Sequence, residues 1–270
     1  MNYRHSFHAG NFADVVKHVA LAAILAHLHK KDSPFAVIDT HAGRGLYDLS
    51  SDEARRTGEA ATGIDRVRGL DMPEALARYL ALVEESGPGR YPGSPLIAAK
   101  MLRPQDRLVA IEKQPEEAAL LKNALAPSRK ARVEEGDGYA RLLALLPPPE
   151  RRGLVLVDPP FEAPDEFERA AEALRGAIRR FATGIYLVWY PIKSPAAARA
   201  FVSEVLTAGA VKALTIEAGI DAAEGRLSRA GLLVLNPPYG FDAAMEGALA
   251  VIAPRLPGGT ARLAWVAGAA

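Results

Sequence analysis

No cysteine occurs among the 270 residues. That excludes disulfides, cysteine-ligated zinc and thiol catalysis, and it suits a reducing cytoplasm. No apolar run reaches the length of a membrane span. The first thirty residues do not read as a secretory signal, because charged and histidine residues interrupt every apolar stretch. A G-x-x-x-x-G-K-[ST] loop is absent too, which argues against ATP or GTP hydrolysis. Charge of either sign is not in excess: 33 Lys and Arg face 32 Asp and Glu, a net +1. This balance argues only weakly for a nucleic-acid partner. What the chain does have is apolar residues, 49 % of the total, enough for a sizeable core.

The charge is unevenly placed. Residues 1–31 carry Arg4, Lys17, Lys30 and Lys31 against the single Asp14, with five of the six histidines. Residues 49–92 carry six Lys and Arg against eight Asp and Glu. His8, His18 and His41 have no acidic cluster at ligand spacing, so no metal is expected.

Strand-like apolar runs alternate with helical patterns. Runs at 35–39, 107–111, 131–134, 154–157, 184–190, 211–216, 232–235 and 262–266 read as strands. Stretches near 115–126, 139–146, 165–181, 195–208 and 241–253 have helical period. The alternation predicts a doubly wound, mostly parallel sheet with helices on both faces. Two regions depart from it. Asn11 can cap a helix running to about His29, with Asp14, Lys17 and His18 on one face. Residues 49–91 separate the first two strands by far more than one crossover helix and read as a helical insertion. The main domain is then 1–48 with 92–270. Ser94 and Pro95 suit the N-cap and first position of the helix that follows.

In such sheets ligands bind beyond the C-terminal ends of the parallel strands, and here those ends are polar. Gly43 and Gly45 follow the first strand, where missing side chains let the backbone approach a ligand. Glu112 ends the second, and its carboxylate can accept both hydroxyls of a ribose. Asp137-Gly138 follow the third, where an acid can accept an adenine amine. Asp158 ends the fourth. The ordered series suits S-adenosylmethionine better than a dinucleotide. Gly43-Arg44-Gly45-Leu46-Tyr47-Asp48 lacks the third glycine of the dinucleotide pattern, and no acidic strand end follows at about twenty residues.

Asp158-Pro159-Pro160-Phe161 resembles the catalytic loop of methyltransferases that modify the exocyclic amine of adenine. The chemistry explains the residue types. An aniline-like nitrogen is a poor nucleophile because its lone pair is delocalised into the ring. Asp158 and the Pro159 carbonyl can accept its two N–H hydrogens and favour a pyramidal nitrogen. The prolines stiffen the loop, and Phe161 offers a π-face to a flipped base. Asn236-Pro237-Pro238-Tyr239 also ends an apolar run and is a rival. Chain order favours Asp158, since the catalytic loop should follow the fourth strand, and leaves Asn236 as a strand end.

Larger segments carry a more specific resemblance. They include Tyr3-Arg4-His5-Ser6-Phe7-His8-Ala9-Gly10-Asn11 with Asp14, Lys17 and His18, and Asp39-Thr40-His41-Ala42-Gly43. Tyr91-Pro92-Gly93-Ser94-Pro95-Leu96, Arg151-Arg152-Gly153, Arg179–Tyr186 and Trp189-Tyr190-Pro191 join them. Together with the Asp158 loop these resemble the bacterial 23S ribosomal RNA adenine-N6 methyltransferase J family over essentially the whole chain. The resemblance implies a Rossmann-like class I methyltransferase fold, S-adenosylmethionine as methyl donor, and an adenine of 23S rRNA as acceptor, in naked RNA or an early assembly particle. It implies cofactor contacts from His18, His41, Ser94, Glu112, Asp137 and Gly138, and catalysis by Asp158. Lys17 and Tyr3 would lie close to the site, and with His5 they form the expected substrate-binding N-terminal segment. Phe161 departs from the tyrosine of the family's loop. The expected protein is a cytoplasmic monomer. Two alternatives stand beside it: a DNA adenine-N6 methyltransferase, disfavoured because no DNA-recognition domain is apparent, and a non-catalytic RNA-binding protein of the same fold.

Overall fold

The computed structural model describes residues 5–68, 72–209 and 212–268. Tyr3, and Val211 at the start of an expected strand, lie outside the described residues. In chain order the strands are β1 (Ala36–Asp39), β2 (Leu46–Asp48), β3 (Arg90–Pro92), β4 (Arg107–Glu112), β5 (Ala131–Glu135), β6 (Gly153–Val157), β7 (Ile185–Pro191), β8 (Ala213–Gly219), β9 (Arg229–Leu235) and β10 (Thr260–Ala267). The helices are α1 (Phe12–Leu28), α2 (Asp52–Thr57), α3 (Ile64–Val67), α4 (Glu74–Glu84), α5 (Ser94–Lys100), α6 (Pro115–Leu125), α7 (Gly138–Leu145), α8 (Glu166–Arg180), α9 (Pro195–Leu206) and α10 (Phe241–Ile252).

Eight strands form one sheet in the order β10-β8-β9-β7-β6-β1-β4-β5. The ladders from β5 through β7 are parallel. β9 runs antiparallel to both β7 and β8, and β10 antiparallel to β8. β8 therefore points the same way as the parallel strands, while β9 and β10 point back. The central strands are near-continuous apolar runs because both faces are covered. In β6, Leu154 and Leu156 face one core, while Val155 and Val157 face the other. The first core also takes residues of α1, α4, α5, α6 and α10, and the second those of α7, α8 and α9.

α1 precedes the sheet and is buried almost all round. Asn11 caps it, its Oδ1 accepting the Asp14 amide at 2.9 Å. Its burial between the sheet, α4 and α10 fixes Lys17 and His18 rigidly beneath the strand ends. The short strands β2 and β3 pair as an antiparallel ribbon, and α2, α3 and α4 lie between them in sequence. Leu76, Tyr79 and Val83 of α4 join the first core. One local expectation is corrected. Gly93, not Ser94, is the N-cap of α5. Ser94 is the first helical residue, and its hydroxyl donates to Asp39 Oδ2 at 2.7 Å instead of capping.

Candidate active site

The parallel strands end at one edge, and a cleft of about 1180 Å³ opens there. His18, His41, Gly43, Ser94, Glu112, Asp137, Gly138 and Asp158 all line it. His5, Lys17 and Phe161 do so as well. Sequence positions more than a hundred apart are thus brought together by strand order and by the packing of α1 on the sheet.

The turn after β1 is shaped by glycine. Gly43 has φ +62°, and a Cβ there would lie 2.3 Å from the Tyr47 hydroxyl oxygen. Its amide donates to Glu112 Oε2 at 2.9 Å, and the Gln114 amide donates to Glu112 Oε1 at 2.8 Å. Both oxygens of Glu112 are therefore fixed by backbone and keep lone pairs for further donors. Burial pushes the Glu112 carboxyl up, against those amides. Asp137 caps α7, its Oδ1 accepting the amides of Tyr139 and Ala140. Its Oδ2 lies 3.4 Å from both Lys113 Nζ and an Arg169 nitrogen. Gly138 is sterically required: a Cβ would come 2.0 Å from the Thr40 carbonyl oxygen.

Beneath this turn the histidines are neutral. Burial, aided by Lys17, pushes His18 down to about 3. Its Nδ1 hydrogen-bonds the Tyr91 hydroxyl at 2.8 Å. Burial holds His41 down to about 4, and its Nδ1 lies 2.8 Å from Thr40 Oγ1. Asp39 is buried beside them. Burial pushes its carboxyl up to about 7, opposed by the Ser94 hydroxyl. Its Oδ1 is a buried acceptor with no partner.

A chain of hydrogen bonds leads from His5 to Asp158. His5 Nε2 is 2.9 Å from Asp14 Oδ2, Lys17 Nζ donates to Asp14 Oδ1 at 2.8 Å, and it donates again to Asp158 Oδ2 at 2.5 Å. Burial opposes the Lys17 ammonium, but Asp14 and Asp158 outweigh it and raise it above the ordinary lysine range. Burial likewise opposes the Asp14 carboxylate, while His5 and Lys17 hold it well below the usual range. The Gly10 amide also donates to Asp14, at 2.9 Å. Asp14 thus ties the His5 turn, the start of α1 and Lys17 into one unit.

Phe161 adopts φ +48°, a conformation strained for a non-glycine residue. Its ring packs against Phe167 at 4.6 Å, Trp189 at 5.8 Å and Phe201 at 6.5 Å between centroids. Only 8 % of the residue is exposed, so it offers the cleft a small part of its surface. The rival loop lies elsewhere. Because β9 runs antiparallel, with Leu235 beside Tyr186 near the start of β7, Asn236 emerges at the opposite edge. Its Nδ2 donates to the carbonyls of Ala182 and Gly184 at 2.8 and 2.7 Å.

Residues 32–267 match the family described as "Ribosomal RNA large subunit methyltransferase D, RlmJ". The chain belongs to this family. It is 40 % identical to the Ribosomal RNA large subunit methyltransferase J of Escherichia coli K12, over 98 % of this chain and 99 % of that one. The Haemophilus influenzae protein of the same name is 39 % identical over 96 % of each. A crystal structure of a Legionella pneumophila protein superposes with TM-score 0.89 at 33 % identity, covering 97 % of this chain and 99 % of that one. A probable spermidine synthase from Corynebacterium glutamicum shares the fold alone, at TM-score 0.51 and 15 % identity, over 94 % of this chain and 74 % of that one. The fold is the Rossmann-like class I methyltransferase fold.

Several cleft residues of this family member were not expected at the site, and of these Lys193, Arg226 and Arg229 carry no motif. Trp189, Lys193, Arg226 and Arg229 line the cleft beyond Asp158. Asp39 is the exception among the missed groups, since a charged residue closing an apolar run was a readable signal. Asp14 offered another, at three residues from Lys17 on one helix face.

Proposed function

We propose that this chain transfers a methyl group from S-adenosylmethionine to the exocyclic N6 of an adenine in 23S ribosomal RNA. The observation that carries the reading is Asp158 at the C-terminal end of β6, held by Lys17 at the mouth of a cleft whose other strand ends present Glu112 and Asp137. The residues fit the cofactor. Glu112 has two fixed oxygens suited to a ribose diol. Asp137 Oδ2 and the α7 start suit an adenine ring, with Gly138 keeping Thr40 close beneath. His18, His41 and Ser94 line the wall between Glu112 and Asp158. The acids of the cleft also favour a sulfonium cation over an anionic dinucleotide.

S-adenosylmethionine supplies an electrophilic methyl group when bound. The chain's own residues do the rest. Asp158 Oδ1 and the Pro159 carbonyl accept the two N–H hydrogens of the target amine and orient its lone pair. Lys17 fixes the Asp158 carboxylate by occupying Oδ2, so that a single oxygen faces the amine. The amine becomes acidic only as its new bond forms, and Asp158 accepts the proton then. Trp189 and the exposed part of Phe161 give an apolar border to a base drawn out of its stack. His5, locked to Asp14, places the N-terminal turn over the same opening. The expected monomeric, cytoplasmic state and the particle or naked form of the RNA belong to this reading too.

The test is methylation of a 23S rRNA fragment with labelled S-adenosylmethionine, followed by nucleoside mass spectrometry. N6-methyladenosine in the wild-type reaction, absent with Asp158→Ala, supports the reading. A methyl group on any other atom, or on DNA in preference, overturns it.

A further inference from the structure

The acids of the cleft are confined to one part of it, where Lys17, Lys113 and Arg169 are interleaved with them. Every acidic residue that lines it lies on or before α8: Asp14, Glu112, Glu117, Asp137, Asp158 and the pair Glu162 and Glu166. Beyond Trp189 the lining contains Lys193, Arg226 and Arg229 and no acid. Topology produces this second wall. β8 points toward the active edge and β9 starts there, so their connecting loop, residues 220–228, is delivered to the mouth. The Ile192 amide donates to the Arg229 carbonyl at 3.0 Å, which sets the turn after β7 directly beside the start of β9. Asp158 ends the neighbouring strand β6, level with Trp189, since Val157 pairs with Val188.

The three cations differ in how they are held. Lys193 is exposed and has no ion-pair or hydrogen-bond partner among the described residues. Arg229 pairs through one nitrogen with Glu217 at 3.1 Å, with both side chains well exposed. Such a pair is worth little and is readily exchanged. Arg226 donates through one nitrogen to the Thr57 carbonyl at 2.7 Å, which bridges the β8–β9 loop to α2. It also lies near Glu59 and His8. A cofactor occupying the Glu112–Asp137 end leaves this cationic wall open to the acceptor.

We propose that Lys193 and Arg229, with Arg226 at the α2 end, form the phosphate track that holds the RNA strand beside the target adenosine. This rests on the methyltransferase reading above. The acceptor is polyanionic, the wall is cationic, and the wall borders Asp158 on the side away from the cofactor acids. Phosphate contacts position a strand without reading its sequence, so this wall sets where the adenine enters and not which adenine is chosen.

The experiment measures binding of a 23S rRNA fragment over a range of salt concentrations for wild type, Lys193→Ala, Lys193→Ala/Arg229→Ala and Lys193→Arg. Each lost contact to a single strand should lower the slope of log affinity against log salt by about 0.7, and weaken binding roughly fourfold near 0.15 M salt. Lys193→Arg should keep the wild-type slope. Lys122→Ala, on α6 and outside the cleft lining, should also keep it, separating the wall from a general effect of net charge. Affinity for S-adenosylmethionine by calorimetry should stay within about twofold throughout. An unchanged slope in the double variant, with wild-type binding intact, overturns the wall alone. A fall in cofactor affinity equal to the fall in RNA affinity also overturns it. A wild type that shows no salt-dependent binding and no methylation of the fragment overturns the functional reading, and the wall with it.

Discussion

Two loops of this protein have nearly the same sequence and opposite surroundings. Asp158-Pro159-Pro160-Phe161 leaves a parallel strand at the edge where the cleft opens. Asn236-Pro237-Pro238-Tyr239 leaves the antiparallel β9 at the other edge. At the first edge one buried carboxylate oxygen lacks a partner, a buried ammonium is shared by two acids, and one backbone angle is strained. Asp39 Oδ1 is buried and unpaired, Lys17 is buried between two carboxylates, and Phe161 sits at φ +48°. At the second edge Asn236 also has a positive φ, +52°, but its amide is satisfied twice by backbone carbonyls. A tetrapeptide therefore carries no role by itself. Strand direction decides which of the two borders the cleft: Asp158 lines it, and Asn236 leaves at the other edge.

The largest effect should come from breaking the active member of the pair. Asp158→Ala removes an acceptor aimed at the reacting amine, and removing such a group costs on the order of 10²-fold or more in rate. Single-turnover methylation of rRNA should fall by at least about that factor. Binding of S-adenosylmethionine should change little, because Glu112 and Asp137 are untouched. Near-wild-type turnover would mean that the edge was assigned wrongly. The variant also leaves the Lys17 ammonium with Asp14 alone, so its thermal unfolding should be followed in parallel.

A smaller loss should follow at the cofactor end of the same edge. Glu112→Ala removes a carboxylate able to accept two hydroxyls in charge-assisted bonds, worth about 1.5–3 kcal/mol each. It also frees the amides of Gly43 and Gln114. Calorimetry should show at least about a tenfold rise in the dissociation constant for S-adenosylmethionine. Unchanged affinity would reject the ribose role and leave Glu112 as a brace for the Gly43 turn.

How much of this was legible follows the same contrast. The parallel strands were readable because burial on both faces forces continuous apolar runs such as Leu154–Val157. The acids that close those runs were readable because a charge has no place inside them. The β2–β3 ribbon was not, since three-residue strands carry no period. Nor was the true start of β9, where Arg229-Ala230-Gly231 has no β-branched or aromatic residue to mark a strand. The cap of α5 was misplaced by one residue because Ser94 is a good cap in isolation, and only tertiary contact shows that Asp39 claims its hydroxyl. The cationic wall escaped for a different reason. Lys193 and Arg229 meet only because β9 runs backwards, and the direction of a strand is not written in its residues. Order along the chain did separate Asp158 from Asn236, and the antiparallel direction of β9 supplies the physical reason.

The cost of the active edge can be read from pH. Asp39 has its carboxyl pushed up to about 7 by burial, from an ordinary 3.8. Between those values the folded protein holds a proton that the unfolded chain releases. Stability contributed by Asp39 is therefore greatest near pH 4 and is lost as the pH rises to about 7. Asp39→Asn keeps an acceptor for Ser94 and cannot ionise. Asp14 and His18 act in the opposite sense in acid, and both are present in either protein. The difference in melting temperature, variant minus wild type, should thus grow by a few degrees from pH 4 to pH 7.5. A difference that stays flat across this range would place the ionised Asp39 in a better-solvated setting than its burial indicates.

Asn236 should give the smallest effect on chemistry and a clear one on the fold. Asn236→Ala removes two hydrogen bonds, each worth about 0.5–1.5 kcal/mol net. It also places an alanine at a positive φ, which costs about 1 kcal/mol more. The variant should lose about 2–4 kcal/mol of stability in urea unfolding, while methylation well below its melting temperature stays within about twofold of wild type. Asn236→Gly divides the loss, because glycine accepts the backbone angle but restores neither bond to Ala182 and Gly184. It should recover about a quarter to a half of the stability. If instead the alanine variant is fully folded and inactive, the second loop takes part in methyl transfer, and strand direction would not be the property that separates the two.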